Sequence, residues 1–411
     1  MAKRKPLPVV HPPDQLFECR DCAARCCRGR VVPVTPEVAQ LLLADDELRA
    51  RLVGLGPTIL AGGTLPTVER EGQLQCCFLD DDLLCAVQKK RGHDALPAAC
   101  QAFPFGFMKD EQQRPVAQLS LYCPSIRDNY GKPLADSIQE KLAQAGGAKP
   151  LAARMGLKSG RTLAIEQYLL VAEAWRELCQ GNPAQALARA YALTDAFDER
   201  LEAADASRAQ AQATLERAQR EAAVGPLAAS GPGFSARLFF SHVLGGLSYP
   251  ARLLSVAAAR RPGFWLRLRA AWVSFCWLLG WGSAQLLHVA EPVPLRRIDR
   301  VARFLGGPLA EPINAYLREL LERRQPFARQ TYLSRVLVEL AFAVALISRF
   351  ARARAAAAGL EQVRPADVAE GIGIAELTLS HGAEQDSTLS QLELKLMGDP
   401  EAFRRFLASE V

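Results

Sequence analysis

The chain has no phosphate-binding glycine loop, no paired-histidine helix of the zinc-protease type and no Ser–His–Asp grouping. Those gaps exclude the commonest nucleotide-hydrolysing and peptide-hydrolysing chemistries. Histidine is scarce, five in 411 residues, and His242, His288 and His381 stand alone, so no role attaches to them. No apolar segment follows Met1-Ala-Lys-Arg-Lys-Pro6, which predicts a cytoplasmic, reducing location rather than secretion. In that setting a disulfide framework is the weaker reading of any cysteines. Glycine and proline are not in excess, and the formal charge is +6. That charge is too small for this length to call for a nucleic-acid partner.

Cysteine is sparse after residue 123, where only Cys179 and Cys276 occur, and dense before it. The opening cluster is Phe17-Glu-Cys19-Arg-Asp-Cys22-Ala-Ala-Arg-Cys26-Cys27. A second group holds Cys76, Cys77, Cys85 and Cys100, and Cys123 closes the set. A Cys-x2-Cys step lets a short turn aim two sulfurs at one metal. The pattern predicts a thiolate metal or iron–sulfur site in the N-terminal third.

Residues 1–135 read as an irregular cysteine-rich domain, interrupted by turn signals at Gly62-Gly63 and Glu71-Gly72. Thr35-Pro36-Glu37-Val38 is a helix start, with Thr35 as cap, Pro36 at the first helical position and Glu37 against the dipole. Such a region gains stability from metal. Residues 136–224 turn helical: apolar spacing through Gln167–Leu178, and a helix opened by Pro183. Residues 197–222 hold few large apolar side chains, as a solvent-facing or paired helix does. Gly225-Pro226 and Ser230-Gly-Pro-Gly233 mark a boundary, and a second helical region runs over 234–411. The expected fold is mainly α, an irregular metal-binding domain followed by helical regions.

Two segments bear on partners. From Ser235 to Arg329 there are fourteen Arg, no Lys and five Asp or Glu, a local excess of +9. It reads as solvated helix faces, with an acidic partner, anionic lipid or nucleic acid as the alternative. Ala270–Ala290 is a 21-residue window with no charged side chain, long enough to span a bilayer. Gly280, Gly282, Ser283, Gln285 and His288 weaken its second half; a buried helix pair bent at the glycines fits equally well, and membrane contact through 270–290 is the lesser expectation. Val336–Ile347 carries Glu339 and is shorter, so it reads as a core helix.

Phe17-Glu-Cys19, Cys26-Cys27, Cys76-Cys77-Phe78-Leu79 and Cys100-Gln-Ala-Phe103-Pro104 resemble the CxxCxxCC cysteine-cluster family (YkgJ-type), a zinc- or iron-chelating domain, over residues 15–126. Cys85-Ala-Val-Gln88, Arg91-Gly92, Leu96-Pro97-Ala-Ala-Cys100 and Cys123-Pro124 look most like its flagellin lysine N-methylase branch. Two departures stand against this. The opening spacing, Cys-x2-Cys-x3-Cys-Cys, is one residue longer than the family's usual form, and Phe105 follows Pro104 where that branch tends to carry Arg. The resemblance implies a cysteine-bound iron–sulfur cluster and S-adenosylmethionine-dependent methylation of lysines on a protein substrate.

Eight thiols fit the pattern as metal ligands: Cys19, Cys22, Cys26, Cys27, Cys76, Cys85, Cys100 and Cys123. Soft sulfur excludes magnesium and calcium but leaves zinc beside iron–sulfur, in as many as two four-thiolate sites. Vicinal Cys26 and Cys27 suit two sites, or one site and one structural contact. Cys77 reads as a core thiol, His93 as a solvated loop residue, and Asp80–Asp82 as a turn. No catalytic or cofactor-binding residue is assigned. Gly371-Ile-Gly373 follows no strand and is not a cofactor turn, and the radical S-adenosylmethionine signature fails because position 29 is Gly. The leading expectation is a lysine N-methylase-like iron–sulfur enzyme. The alternatives are a non-catalytic zinc- or iron-binding module with a helical interaction region, and a membrane-associated redox or metal-handling protein.

Overall fold

The computed structural model describes residues 9–30, 32–53, 63–70, 73–150, 154–202, 206–222, 227, 234–249, 264–289, 291–323, 332–381 and 399–410. It is 57% helical, and among the described residues its strands pair in two- and three-stranded sheets. The mainly α expectation agrees with this. The chain divides into two compact units. The first takes 1–109, 113–149 and 241–296, and the second takes 110–112, 150–240 and 297–411. The turn signals at Gly62 and at 71–72, and the 225–233 boundary apart from Leu227, lie outside the described residues.

In the first unit the helix Pro36–Leu43 begins as its sequence dictates. Thr35 Oγ1 accepts from Val38 N at 3.5 Å, and Pro36 gives up a backbone N–H that a helix start leaves unpaired anyway. Asp45 then caps Asp46–Ala50 by accepting from Glu47 N and Leu48 N at 3.2 Å. Its carboxylate also meets Lys90 Nζ at 2.8 Å and Arg91 Nη2 at 2.9 Å. These contacts, led by Lys90, hold the Asp45 carboxyl below the usual carboxylate range. Thr67–Arg70 pairs antiparallel with Gln73–Cys76, placing Thr67 opposite Cys76. Phe105–Lys109 pairs antiparallel with Pro115–Leu119.

Two small apolar cores result. One gathers Val34, Leu42, Leu48, Phe78, Val87 and Leu96, and the other gathers Phe105, Phe107, Leu119, Ile126, Leu134 and Ile138. A late part of the chain is tied to them. The Gln73 side chain donates to Val289 O at 3.0 Å and accepts from His288 N at 3.0 Å. Tyr122 donates to Arg28 O at 2.6 Å and shares a 2.9 Å hydrogen bond with His288 Nε2. His288, without a role on sequence grounds, thus joins residues far apart in the chain.

The window Ala270–Ala290 is not a helix pair. The helix Phe264–Leu279 ends at Gly280 and Gly282, both with positive φ, and Ser283–Leu286 continues as a strand between Ser248–Tyr249 and Val293–Pro294. Glycine stops the helix because only it enters that region freely. Ala290 lies outside the described residues. Among the described residues no helix is long and apolar enough to cross a membrane.

The second unit is a helical assembly about Leu333–Ala357, whose side chains are buried on nearly every face. The sequence-expected core segment Val336–Ile347 is its centre. Pro365–His381 crosses it closely: a Cβ on Gly371 would stand 2.8 Å from Ile347 O. Gly371 and Gly373 are therefore helical, and Gly371 serves packing. The helices Ile165–Leu178 and Pro183–Arg200 fall where apolar spacing and Pro183 placed them, with Asn182 capping the latter. The stretch 197–222 is not one helix: 197–200 close the helix Pro183–Arg200, and the separate helix Arg208–Glu221 turns Ala211, Leu215 and Ala218 inward. A buried ionic set joins three residues: Arg323 donates to Glu376 Oε1 at 2.6 Å, and Tyr316 donates to Glu376 Oε2 at 3.1 Å.

Candidate thiol-lined site

Between the two cores of the first unit lies a cavity of about 320 Å3. Its walls include Cys19, Cys22, Cys26, Cys27, Cys76, Cys85, Cys100 and Cys123, the full set of pattern cysteines. Leu42, Phe78 and Val87 come from one core and Phe17 and Phe103 from its surroundings on the other side.

Local structure brings these sulfurs in from separate elements. Cys19 and Cys22 follow the strand Leu16–Phe17, and Cys26 and Cys27 end a single 3-10 turn, Arg25–Cys27. Ala23 and Ala24 between them are both left-handed, with φ of 54° and 51°. Non-glycine residues adopt that conformation at a cost of about 1–2 kcal/mol each, and such strain gathers where surroundings hold a site in place. The extra residue in the Cys22-x3-Cys26 interval sits in this turn. Cys76 closes a strand, Cys100 sits in the short helix Ala98–Ala102, and Cys85 and Cys123 each precede a helix. Cys123-Pro124 is thus a helix start, with Pro124 at the first helical position.

The thiols sense one another. Cys26 lies within electrostatic reach of Cys19, Cys76, Cys85, Cys100 and Cys123. Its thiol is pushed up first by the hydrogen bond with Cys27 and then by burial. Cys76 is pushed up in the same way by its hydrogen bond with Cys77. Burial raises Cys19 and Cys85, and takes Cys100 to about 12 and Cys123 to about 11. Metal ligation would require the thiols to give up their protons, which burial opposes at Cys19, Cys85, Cys100 and Cys123. Arg30 opposes burial at Cys26 and Cys100. It is itself buried, donates to Ala99 O at 3.1 Å and lies 4.1 Å over the Phe103 ring.

Cys77 is buried in the core and absent from the cavity wall, as the sequence indicates. Asp80 and Asp82 form the expected turn and hold Lys89 Nζ at 2.8 and 2.7 Å. His93 departs from expectation: it is half-buried and lines the cavity. Arg30 and Lys141 also line it and escaped sequence reasoning, because neither stands in a cysteine motif. Cys26 and Cys27 both line this cavity. Among the described residues no three His, Cys, Asp or Glu side chains are gathered tightly enough to hold a metal ion as they stand. The donors are soft and numerous, so their chemistry suits zinc or an iron–sulfur cluster, and ligation requires side-chain rotations toward a common centre.

No protein-family model and no solved structure matches the chain. It is 29% identical over 148 residues to the lysine-N-methylase of Salmonella typhimurium, covering 33% of this chain and 36% of that protein. A match at the same identity over 136 residues links it to the flagellar biosynthetic protein FliU of Salmonella muenchen, covering 30% of this chain and 78% of FliU. The chain is thus a distant, partial homologue of both, and the match spans about a third of the lysine-N-methylase.

Proposed function

We propose that the chain is a lysine N-methylase-like protein of the cysteine-cluster family, with a metal or iron–sulfur group held in its thiol-lined cavity. The observation that carries this reading is the meeting of all eight pattern cysteines, spread over residues 19–123, on one cavity wall. The partial similarity to lysine-N-methylase and FliU supports the methylation half. Cys19, Cys22, Cys26 and Cys27 from the opening loop would hold the group together with Cys76, Cys85, Cys100 and Cys123. When bound, a cluster supplies electron transfer or an open iron coordination position.

The substrate would be a protein with accessible lysines and the methyl donor S-adenosylmethionine. Transfer forms a C–N bond, breaks the donor's C–S bond and releases S-adenosylhomocysteine and a proton. Arg30 and Lys141 would offset the negative charge of several thiolates. The test is metal and acid-labile sulfide content of protein purified without oxygen, followed by methyl transfer from labelled donor to a lysine-bearing protein. Iron, sulfide and labelled lysine are the expected result. Protein without metal, or with metal distribution unchanged in Cys22→Ser and Cys100→Ser, overturns the site.

A second reading is a non-catalytic zinc or iron module. It is favoured by the placement of Gly371 and Gly373 inside the helix Pro365–His381 rather than in a strand-to-helix cofactor turn. Zinc without sulfide, and no labelled lysine, would select it.

A further inference from the structure

The helix Phe264–Leu279 leaves one face bare. Trp265, Leu268, Trp272, Phe275 and Leu279 recur at alternating steps of three and four, which puts them on one stripe. All five are exposed, as are Phe264 before them and Trp281 after them, with Trp265 at 74% and Phe264 at 71%. The opposite face is used internally. Cys276 and Trp277 are buried, Trp277 Nε1 donates to Ser248 Oγ at 3.0 Å, and a Cβ on Gly245 would fall 2.8 Å from Ser274 Cα. The exposed stripe is therefore not a helix awaiting its own core, because its core contacts are already made. A contiguous run of this kind on a folded domain marks a surface that meets something.

Charge says what. From Ala222 to Ala290 there is no Asp, Glu or Lys, and there are six Arg. One of them, Arg269, is exposed on this same helix. An identical segment on a second copy would bring like charge against like, so self-pairing along the stripe is disfavoured. Arginine beside tryptophan, phenylalanine and leucine suits the boundary of an anionic bilayer. There the indole rings sit at headgroup depth and guanidinium groups meet phosphates. The helix has 16 residues and ends at Gly280, so it fits a position in the plane of the interface rather than across it.

We propose that the Phe264–Leu279 face, extended by Trp281, is a peripheral docking surface for anionic membranes. The side chains of Trp265, Trp272 and Phe275 enter the headgroup boundary, and Arg269 with its arginine neighbours in sequence supplies the attraction. This surface is independent of the thiol cavity and of whatever the cavity binds.

The test is flotation of the full chain with phosphatidylcholine vesicles, with and without phosphatidylglycerol, alongside tryptophan emission. The expected result is flotation and a blue shift only with the anionic lipid, both falling as salt is raised. Arg269→Gln should weaken partitioning about fivefold. The pair Trp265→Ser and Trp272→Ser should weaken it by more than about tenfold while leaving the thermal transition in place, because both rings are exposed. Absence of flotation with anionic vesicles, equal flotation with neutral ones, or unaltered binding by the tryptophan variant each overturns the proposal. A concentration-dependent dimer that the tryptophan variant abolishes, seen instead of vesicle binding, assigns the face to a second copy and overturns it as well.

Discussion

Replacing Glu376 by Ala should cost the second unit about 3 kcal/mol. Arg323 and Glu376 have side chains 4% and 2% exposed and meet at 2.6 Å. Removing the carboxylate strands part of a buried guanidinium, which ordinarily costs about 3–5 kcal/mol. The low end applies because Arg323 keeps Glu319, whose oxygen accepts from Nη2 at 2.6 Å and is partly exposed. The Tyr316 hydroxyl loses its 3.1 Å acceptor at the same time. For a unit of this size the change corresponds to a fall in Tm of roughly 6–12 °C, readable by calorimetry or by urea unfolding. The same reasoning makes a second demand. The triple replacement Arg323→Met, Glu376→Leu and Tyr316→Phe removes the Arg323–Glu376–Tyr316 contacts together and leaves the partly exposed Glu319 without Arg323, so it should be less damaging than Glu376→Ala alone. A triple variant less stable than the single one, or a single variant within about 1 kcal/mol of the parent, would refute the argument.

Gly371→Ala should destabilise the same unit by about 1–3 kcal/mol, since its Cβ would meet a backbone carbonyl rather than a yielding side chain; denaturant unfolding reads it. The Asp45 and Asp80 carboxyls are held below the ordinary range by Lys90 and Lys89 first. Their contribution is therefore full above the unfolded carboxylate range and lost as pH falls through the folded values. Asp45→Asn should flatten the acid limb of a stability-against-pH profile for the first unit. Cys179, buried and pushed up to about 11, should resist iodoacetamide at neutral pH while folded and react on unfolding, which peptide mass mapping would follow.

Local rules made the helices legible. Thr35-Pro36 and Asn182-Pro183 are caps followed by a proline whose fixed φ suits a first turn, and both helices begin there. The cysteine positions were legible as a set because they crowd at short, motif-like spacings in residues 19–123, and all eight pattern thiols line one cavity. The neighbours of those thiols were not. Arg30 reaches the cavity through its packing on Phe103, and His93 through a turn after Gly92. Neither contact has a periodicity to read. The glycines at 280 and 282 did announce a break, but not that the chain beyond it would pair as a strand with residues near 248. That pairing depends on partners a local pattern does not contain.

The ties from Gln73 and Tyr122 to Val289 and His288 have a consequence for the order in which the protein is made. The cavity wall is complete once synthesis has passed residue 141. The segment carrying His288 and Val289, which bonds Gln73 and Tyr122, arrives only after the intervening 150–240 segment of the other unit has emerged. Contacts spanning more than 200 positions form late, because their loop must close before they repay it. During translation the early part of the first unit therefore passes through a stage in which it exists without these long-range ties.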